Sequence, residues 1–297
     1  MLPRLPRWPS VLSTAGLAAC VLSACVSAPE GGTGAPPTPE PPAVVSNVGS
    51  SVGSGGGASG SRGDLVTASD ETELAKRARI RLELASAYFA QGQAVTALDE
   101  VKRALQVDPE NVGAYNLRGL IYASLGEVAL ADESFRRALS IAPADADTLH
   151  NHGWFLCRQR RFAEARSRFT AALAVPQYRE PSKTLLAQGV CEAAAGDLVA
   201  AERLLLRSYE LDAGNPTTAF NLAEVLLRRG DTDRARFYLQ RVNQVPERVN
   251  AQTLWLAARI ERKRGNLAAA EEWAQQLRSR FPNARETAAY EQGKFDE

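Results

Sequence analysis

Histidine and methionine are nearly missing from this chain, with two of the first and one of the second among 297 residues. Imidazole is the usual metal ligand and the usual proton switch near neutral pH, so this scarcity removes most metal and acid–base chemistry. His150 and His152 stand near Cys157, but side chains at i and i+2 point to different helix faces, and no further His-Cys spacing completes a cluster. No metal site and no cofactor is expected. HExxH and the phosphate-cradling G-x-x-x-x-G-K-[ST] loop are both absent. The carboxylates are spread over amphipathic stretches, so no acid and base pair can be nominated and no catalytic residue or small-molecule substrate is expected. An excess of either charge is lacking too: 35 Lys and Arg against 34 Asp and Glu give a net charge of +1, which supplies no chain-wide drive toward nucleic acid. Strand patterns are hard to place anywhere.

What the chain does have is a period of about 34 residues, with units starting near Ala78, Val112, Ala146, Ser182, Pro216 and Ala251. Counting each start as position 1, position 8 is always small: Ala85, Gly119, Gly153, Gly189, Ala223 and Ala258. Position 20 is always alanine: Ala97, Ala131, Ala165, Ala201, Ala235 and Ala270. Small residues at both places let two helices of one unit approach to ~8–10 Å. Glycine at position 15 (Gly92, Gly126, Gly196, Gly230, Gly265) supplies a left-handed helix stop, and only the third unit departs, with Arg160. Pro109, Pro143 and Pro282 at position 32 close the second helix. The pattern resembles tetratricopeptide repeats. It predicts an all-α superhelical solenoid of about six helix pairs over 78–111, 112–145, 146–181, 182–215, 216–250 and 251–284, within a domain spanning 70–297. The stretch after Pro282 reads as the polar capping helix that the end of a solenoid needs.

The N-terminus reads as an address. Arg4 and Arg7 precede an apolar run from Val11 to Ala24, which has signal-peptide length and is too short to span a bilayer. Leu22-Ser23-Ala24-Cys25 matches a bacterial lipobox, making 1–24 the signal peptide and Cys25 the lipidated first residue. Leu17-Ala18-Ala19-Cys20 is a rival that leaves a shorter apolar run, and an ordinary secretory signal with incidental cysteines is the plain alternative. Val26 rather than Asp after the modified cysteine favours the inner leaflet of the outer membrane, by resemblance to bacterial sorting rules. Two or three acyl chains would anchor the chain stably where one would not. Residues 26–69 hold ten of the 22 Gly and six of the 16 Pro, the composition of a flexible tether rather than a fold. Ser69 or Asp70, with Glu73 completing a box, is the expected cap of the first helix.

The third and fourth units add specificity. His150-Asn151-His152-Gly153-Trp154-Phe155-Leu156-Cys157 is followed by Arg160-Arg161-Phe162, Phe169, Pro176-Gln177-Tyr178 and then Gly189-Val190-Cys191-Glu192. These segments resemble the type IV pilus biogenesis and stability lipoproteins of the PilF/PilW pilotin family, whose members show an N-x-G-x-F-L-C stretch, a Gly-Arg-like turn, a P-x-Y step and a later G-x-C. Arg160-Arg161 departs mildly at the turn. The resemblance covers essentially the whole mature solenoid. It implies an outer-membrane pilotin that binds the pilus secretin, helps it localise and multimerise, and supports pilus formation and twitching motility. A different periplasm-facing scaffold lipoprotein for envelope assembly would use the same fold and anchor.

Cys157 and Cys191 occupy positions 12 and 10 of adjacent units in a chain addressed to an oxidising compartment. A bridge is expected if their Cα atoms lie within about 7 Å, two buried free thiols being the alternative. Positions 2, 5, 9 and 12 of the first helix of each pair usually line the concave surface of this repeat class. They select Leu82, Ser86, Phe89, Asn116, Leu120, His150, Trp154, Phe220 and Trp255 as partner-binding candidates, with Glu224, Leu227 and Arg259 beside them. Packing between neighbouring helices would explain each equally well. Arginine clusters at 158–168 and 259–264 fit solvated faces, a docking site for an acidic partner being the sharper alternative.

Overall fold

The computed structural model describes residues 72–295. The signal segment, both lipobox cysteines and the Gly/Pro-rich tether lie outside the described residues. Thirteen α-helices and one short 3-10 turn follow one another, and no strand occurs among the described residues. The first helices of the six pairs are α1 (Glu73–Ala90), α3 (Val112–Ser124), α5 (Ala146–Arg158), α7 (Pro181–Ala195), α9 (Pro216–Arg229) and α11 (Ala251–Lys263). Their partners are α2 (Ala94–Val107), α4 (Val128–Ile141), α6 (Phe162–Leu173), α8 (Leu198–Leu211), α10 (Thr232–Asn243) and α12 (Leu267–Arg280), with α13 (Arg285–Glu291) last. Each helix packs on the next, and α3, α5, α7, α9 and α11 also pack on one another in series. The result is an all-α solenoid.

Volume matching fixes the distance within each pair. In the second, third and fourth units position 24 carries the large partner of the glycine at position 8, and Phe135, Phe169 and Leu205 there are fully buried. A methyl group placed on Gly119 would sit 2.7 Å from the Phe135 ring; on Gly153 it would lie 2.9 Å from Phe169, and on Gly189 2.7 Å from Leu205. Glycine is therefore required by contact in these three units. At position 15 the requirement is conformational: five glycines have φ between 76° and 94°, a left-handed geometry that costs an L-residue about 1–2 kcal/mol. Arg160 adopts it as well, with φ 60°.

Side-chain caps punctuate the chain. Asn111, Asp145, Asn215 and Asn250 accept backbone N–H bonds at the starts of α3, α5, α9 and α11, and Asp197, Asp231 and Asn266 do so for α8, α10 and α12. The first cap differs from the sequence expectation. The helix begins at Glu73, so Glu73 is in its first position and Thr72 is the cap, its Oγ1 accepting from Ala75 N at 3.1 Å.

A second regularity, electrostatic, runs along the seams between units. Position 21 reads Asp132, Arg166, Glu202, Arg236 and Glu271 from the second unit to the sixth, alternating in sign. Asp132 meets Arg161 (3.2 Å) and His152 (2.8 Å) of the third unit. Arg166 pairs with buried Glu192 of the fourth, Nε to Oε1 at 2.6 Å. Glu202 is held by Arg229 and Arg234 of the fifth unit, and Arg236 pairs at 3.0 Å with buried Glu261 of the sixth. Glu271 binds Arg278 and accepts from Tyr290 of the cap helix at 2.5 Å. A slip of one unit would set like charges together, so the alternation specifies register.

Candidate partner-binding surface

The series α3, α5, α7, α9 and α11 forms one continuous face, and its residues divide sharply by burial. Ser86, Phe89, Asn116, Leu120, Trp154 and Phe220 are half-buried. Leu82, His150 and Trp255 are not: their relative exposures are 5%, 2% and 9%, so as open groove residues they are corrected. Leu82 packs into the first-unit core, its Cδ2 reaching to 3.0 Å of where a Gly113 methyl would lie. Trp255 is covered by the end of the chain, stacking near Tyr290 and Phe295, while Arg259 Nε donates to Phe295 O at 2.9 Å. Leu227 is buried as well.

His150 is a structural link between units. Its Nδ1 and Thr184 Oγ1 share a hydrogen bond of 2.8 Å, and Tyr178 OH reaches the same hydroxyl at 2.7 Å. Burial, aided by the positive charge of Lys183, lowers the His150 pKa from 6.5 to about 3, so the ring is neutral. Burial lowers His152 too, and hydrogen bonding to Asp132 opposes that shift. The two rings engage α7 and α4 respectively, and no His/Cys/Asp/Glu group that could hold a metal occurs among the described residues. Beside them, Cys157 and Cys191 are joined in a disulfide between α5 and α7, with Cα atoms 5.8 Å apart.

The half-buried face therefore runs from Phe89 through Leu120 and Trp154 to Phe220. Asn151 Nδ2 donates to Asn116 Oδ1 at 3.1 Å, tying α5 to α3 across it. Between α7 and α9 it dips into a cleft of about 180 Å³ bounded by Val190, Ala193, Glu224 and Arg228. Arg228 donates to Ala193 O (3.2 Å) and Lys263 to Leu227 O (3.4 Å), each cation covering the last carbonyls of the preceding first helix. The surface is apolar at its centre with amides and carboxylates at intervals, a composition suited to gripping a peptide by side chain and backbone together.

The arginine clusters resolve partly into internal ties. Arg161 binds Asp132 and Glu164, Arg166 binds Glu192, and Arg264 binds Asp233 and Glu261. Sequence reasoning passed over the Thr184–Tyr178 contact and an arginine-lined groove between α3 and α4. The signal for the groove was present: Tyr115 and Arg118 fill positions 4 and 7, where the fifth and sixth units carry Ala219 and Leu222, or Leu254 and Ala257.

Comparison with known proteins agrees with this architecture. Tetratricopeptide repeat models match residues 85–126, 112–145, 192–247, and 152–216 with 220–285. The solved structure of PilW, described as a widely conserved type IV pilus biogenesis factor, superposes with a TM-score of 0.68 at 34% identity, covering 72% of this chain and 97% of PilW. The chain belongs to the PilF/PilW family of tetratricopeptide-repeat proteins. The type IV pilus assembly protein PilF of Pseudomonas aeruginosa is 27% identical over 213 residues, 72% of this chain and 84% of that protein. The PilF structure, at 24% identity and a TM-score of 0.66, shares the fold over 75% of this chain and all of its own length. Within this PilF/PilW member no described helix is long and apolar enough to cross a membrane.

Proposed function

We propose that this chain is an outer-membrane pilotin: a lipoprotein that binds the type IV pilus secretin in the periplasm and promotes its localisation and multimerisation. The observation that carries the reading is the likeness to the pilus biogenesis factor PilW across 97% of that protein. Leu22-Ser23-Ala24-Cys25 supports the membrane half of it. Lipid on Cys25 holds the chain to the inner leaflet of the outer membrane, and the tether of residues 26–69 leaves the solenoid free to search. The protein works by binding rather than by chemistry. Its half-buried face at Phe89, Asn116, Leu120, Trp154 and Phe220 receives a secretin segment, as an extended peptide or a helix.

The test is genetic and biochemical. A deletion strain is expected to lose twitching and to accumulate secretin monomers in place of multimers. Complementation with Cys25→Ser is expected to give a chain that leaves the membrane fraction and fails to restore secretin multimers in the outer membrane. A deletion strain with normal pili and normal multimers would refute the pilotin reading, and pull-down from detergent extract would then name the partner of a different envelope scaffold.

A further inference from the structure

A groove of about 710 Å³ lies between α3 and α4, lined by Tyr115, Arg118, Asp132, Glu133, Arg136 and Arg137. Its chemistry is unlike that of the apolar face. Two guanidinium groups lie over one aromatic ring: Arg118 Cζ is 4.8 Å and Arg137 Cζ 5.8 Å from the Tyr115 centroid. Ring contact at these distances holds a guanidinium in place without neutralising it.

The hydrogen-bond partners of these arginines are hydroxyls. Arg118 Nε donates to Ser134 Oγ at 2.9 Å, and Arg137 Nη1 reaches Ser140 Oγ at 3.5 Å. Arg137 has no carboxylate partner among the described residues, and the nearest carboxylate to Arg118 is Glu133 at 3.9 Å, on a side chain 70% exposed. Asp132, which also lines the groove, contributes no free negative charge. Its oxygens receive Arg136 at 2.7 Å, Arg161 at 3.2 Å and His152 at 2.8 Å. These donors outweigh the effect of burial and hold its carboxyl below the usual range, so it stays ionised and fully matched. The groove thus keeps two oriented guanidinium groups with N–H donors to spare.

We infer that the α3–α4 groove binds an acidic peptide segment of a partner protein, with Arg118 and Arg137 receiving its carboxylates. The guanidinium fork matches a carboxylate in two parallel bonds, and stacking on Tyr115 removes part of the ordering cost of forming them. A peptide fits better than an anionic membrane, because Arg118 is sheltered between the two helices, its side chain 22% exposed, and the Glu133 carboxylate beside it would repel a uniformly anionic surface. The inference is independent of which protein occupies the apolar face.

The experiment titrates the full chain with fluorescein-labelled hexaglutamate, following anisotropy, with hexaglutamine as control. Hexaglutamate is expected to bind and hexaglutamine not. Arg137→Gln should weaken binding roughly fivefold or more, and Glu133→Gln, which removes the competing carboxylate, should tighten it about twofold. Affinity should also fall with added salt. Arg137 and Glu133 are exposed, so both variants should melt like the parent; Arg118→Gln is informative only if it does the same. An affinity indifferent to Arg137→Gln, equal binding of hexaglutamine, or co-sedimentation with phosphatidylglycerol vesicles in the absence of peptide binding overturns the assignment.

Discussion

The contact between Gly119 and Phe135 shows how tightly one residue is specified by another 16 positions away. With the ring 2.7 Å from the site of a methyl group, Gly119→Ala forces either the ring or the helix to move. Overpacking of this kind costs about 1–3 kcal/mol, which should appear as a lower thermal midpoint. The repeat itself suggests the rescue, since units with alanine at position 8 carry Val101, Leu239 or Ala274 at position 24. Gly119→Ala with Phe135→Val, which reproduces the Ala85–Val101 pairing of the first unit, should therefore be more stable than the sum of the two single changes, and simple additivity in that cycle would reject the contact as the cause. His150 gives the residue scale its pH dependence. The folded chain holds this ring neutral, with a pKa of about 3 against 6.5 when unfolded. Unfolding therefore takes up a proton. The stability due to neutral His150 is complete above pH 6.5 and is lost as pH falls from there toward about 3, at roughly 1.4 kcal/mol per pH unit. His152, depressed by burial, acts in the same direction. The thermal midpoint should drop between about pH 6.5 and 4.5, and His150→Gln should flatten that slope; a parent curve level across the range would contradict the burial argument.

At the scale of helices, the alternating seam makes a claim that can be checked by exchange. Glu192 is buried on α7 and its partner Arg166 is half exposed on α6. Arg166→Glu leaves two carboxylates facing each other and should cost about 3 kcal/mol or more, because one of them is buried. Adding Glu192→Arg reverses the pair and should recover part of that loss in urea melts; no recovery would mean that the seam is not electrostatic. The helices themselves were legible in the sequence, since the small residues at positions 8 and 20 and the glycines at 15 each reflect a local requirement. The seam was written there too, in Asp132, Arg166, Glu202, Arg236 and Glu271, but sign alternation acquires meaning only when adjacent units are stacked. Groove membership was less legible. Positional rules place Leu82, His150 and Trp255 on the inner face, yet they cannot say that Gly113, Thr184 or Phe295 closes over them. Burial of that kind depends on residues one unit away or at the end of the chain.

For the whole solenoid, stability is close to a sum of unit terms and contacts between neighbours, so ends and seams need not be equally firm. The seam between the third and fourth units is the most heavily tied: the Cys157–Cys191 disulfide, the Arg166–Glu192 pair and the His150–Thr184–Tyr178 hydrogen bonds all cross or flank it. The C-terminal end is closed by α13, which packs on α11 and α12. Among the described residues the first unit has no such cover: Ile80 and Leu84, at positions 3 and 7, are 49% and 37% exposed, whereas the fifth and sixth units bury Thr218 and Leu222, or Thr253 and Ala257, at those positions. Opening should therefore begin at α1 and α2. Hydrogen exchange followed by mass spectrometry should find α1 and α2 exchanging first, α11 and α12 later, and α5 to α7 last. Cys157→Ser with Cys191→Ser removes a cross-link spanning 34 residues, worth about 3–4 kcal/mol in the chain-entropy model. In that variant the slow amides of α5 and α7 should accelerate toward the rest while those of α1 and α2 keep their rates, because fraying at the end does not pass through the bridged seam. Uniform acceleration of every helix would show instead that the solenoid opens as one cooperative block.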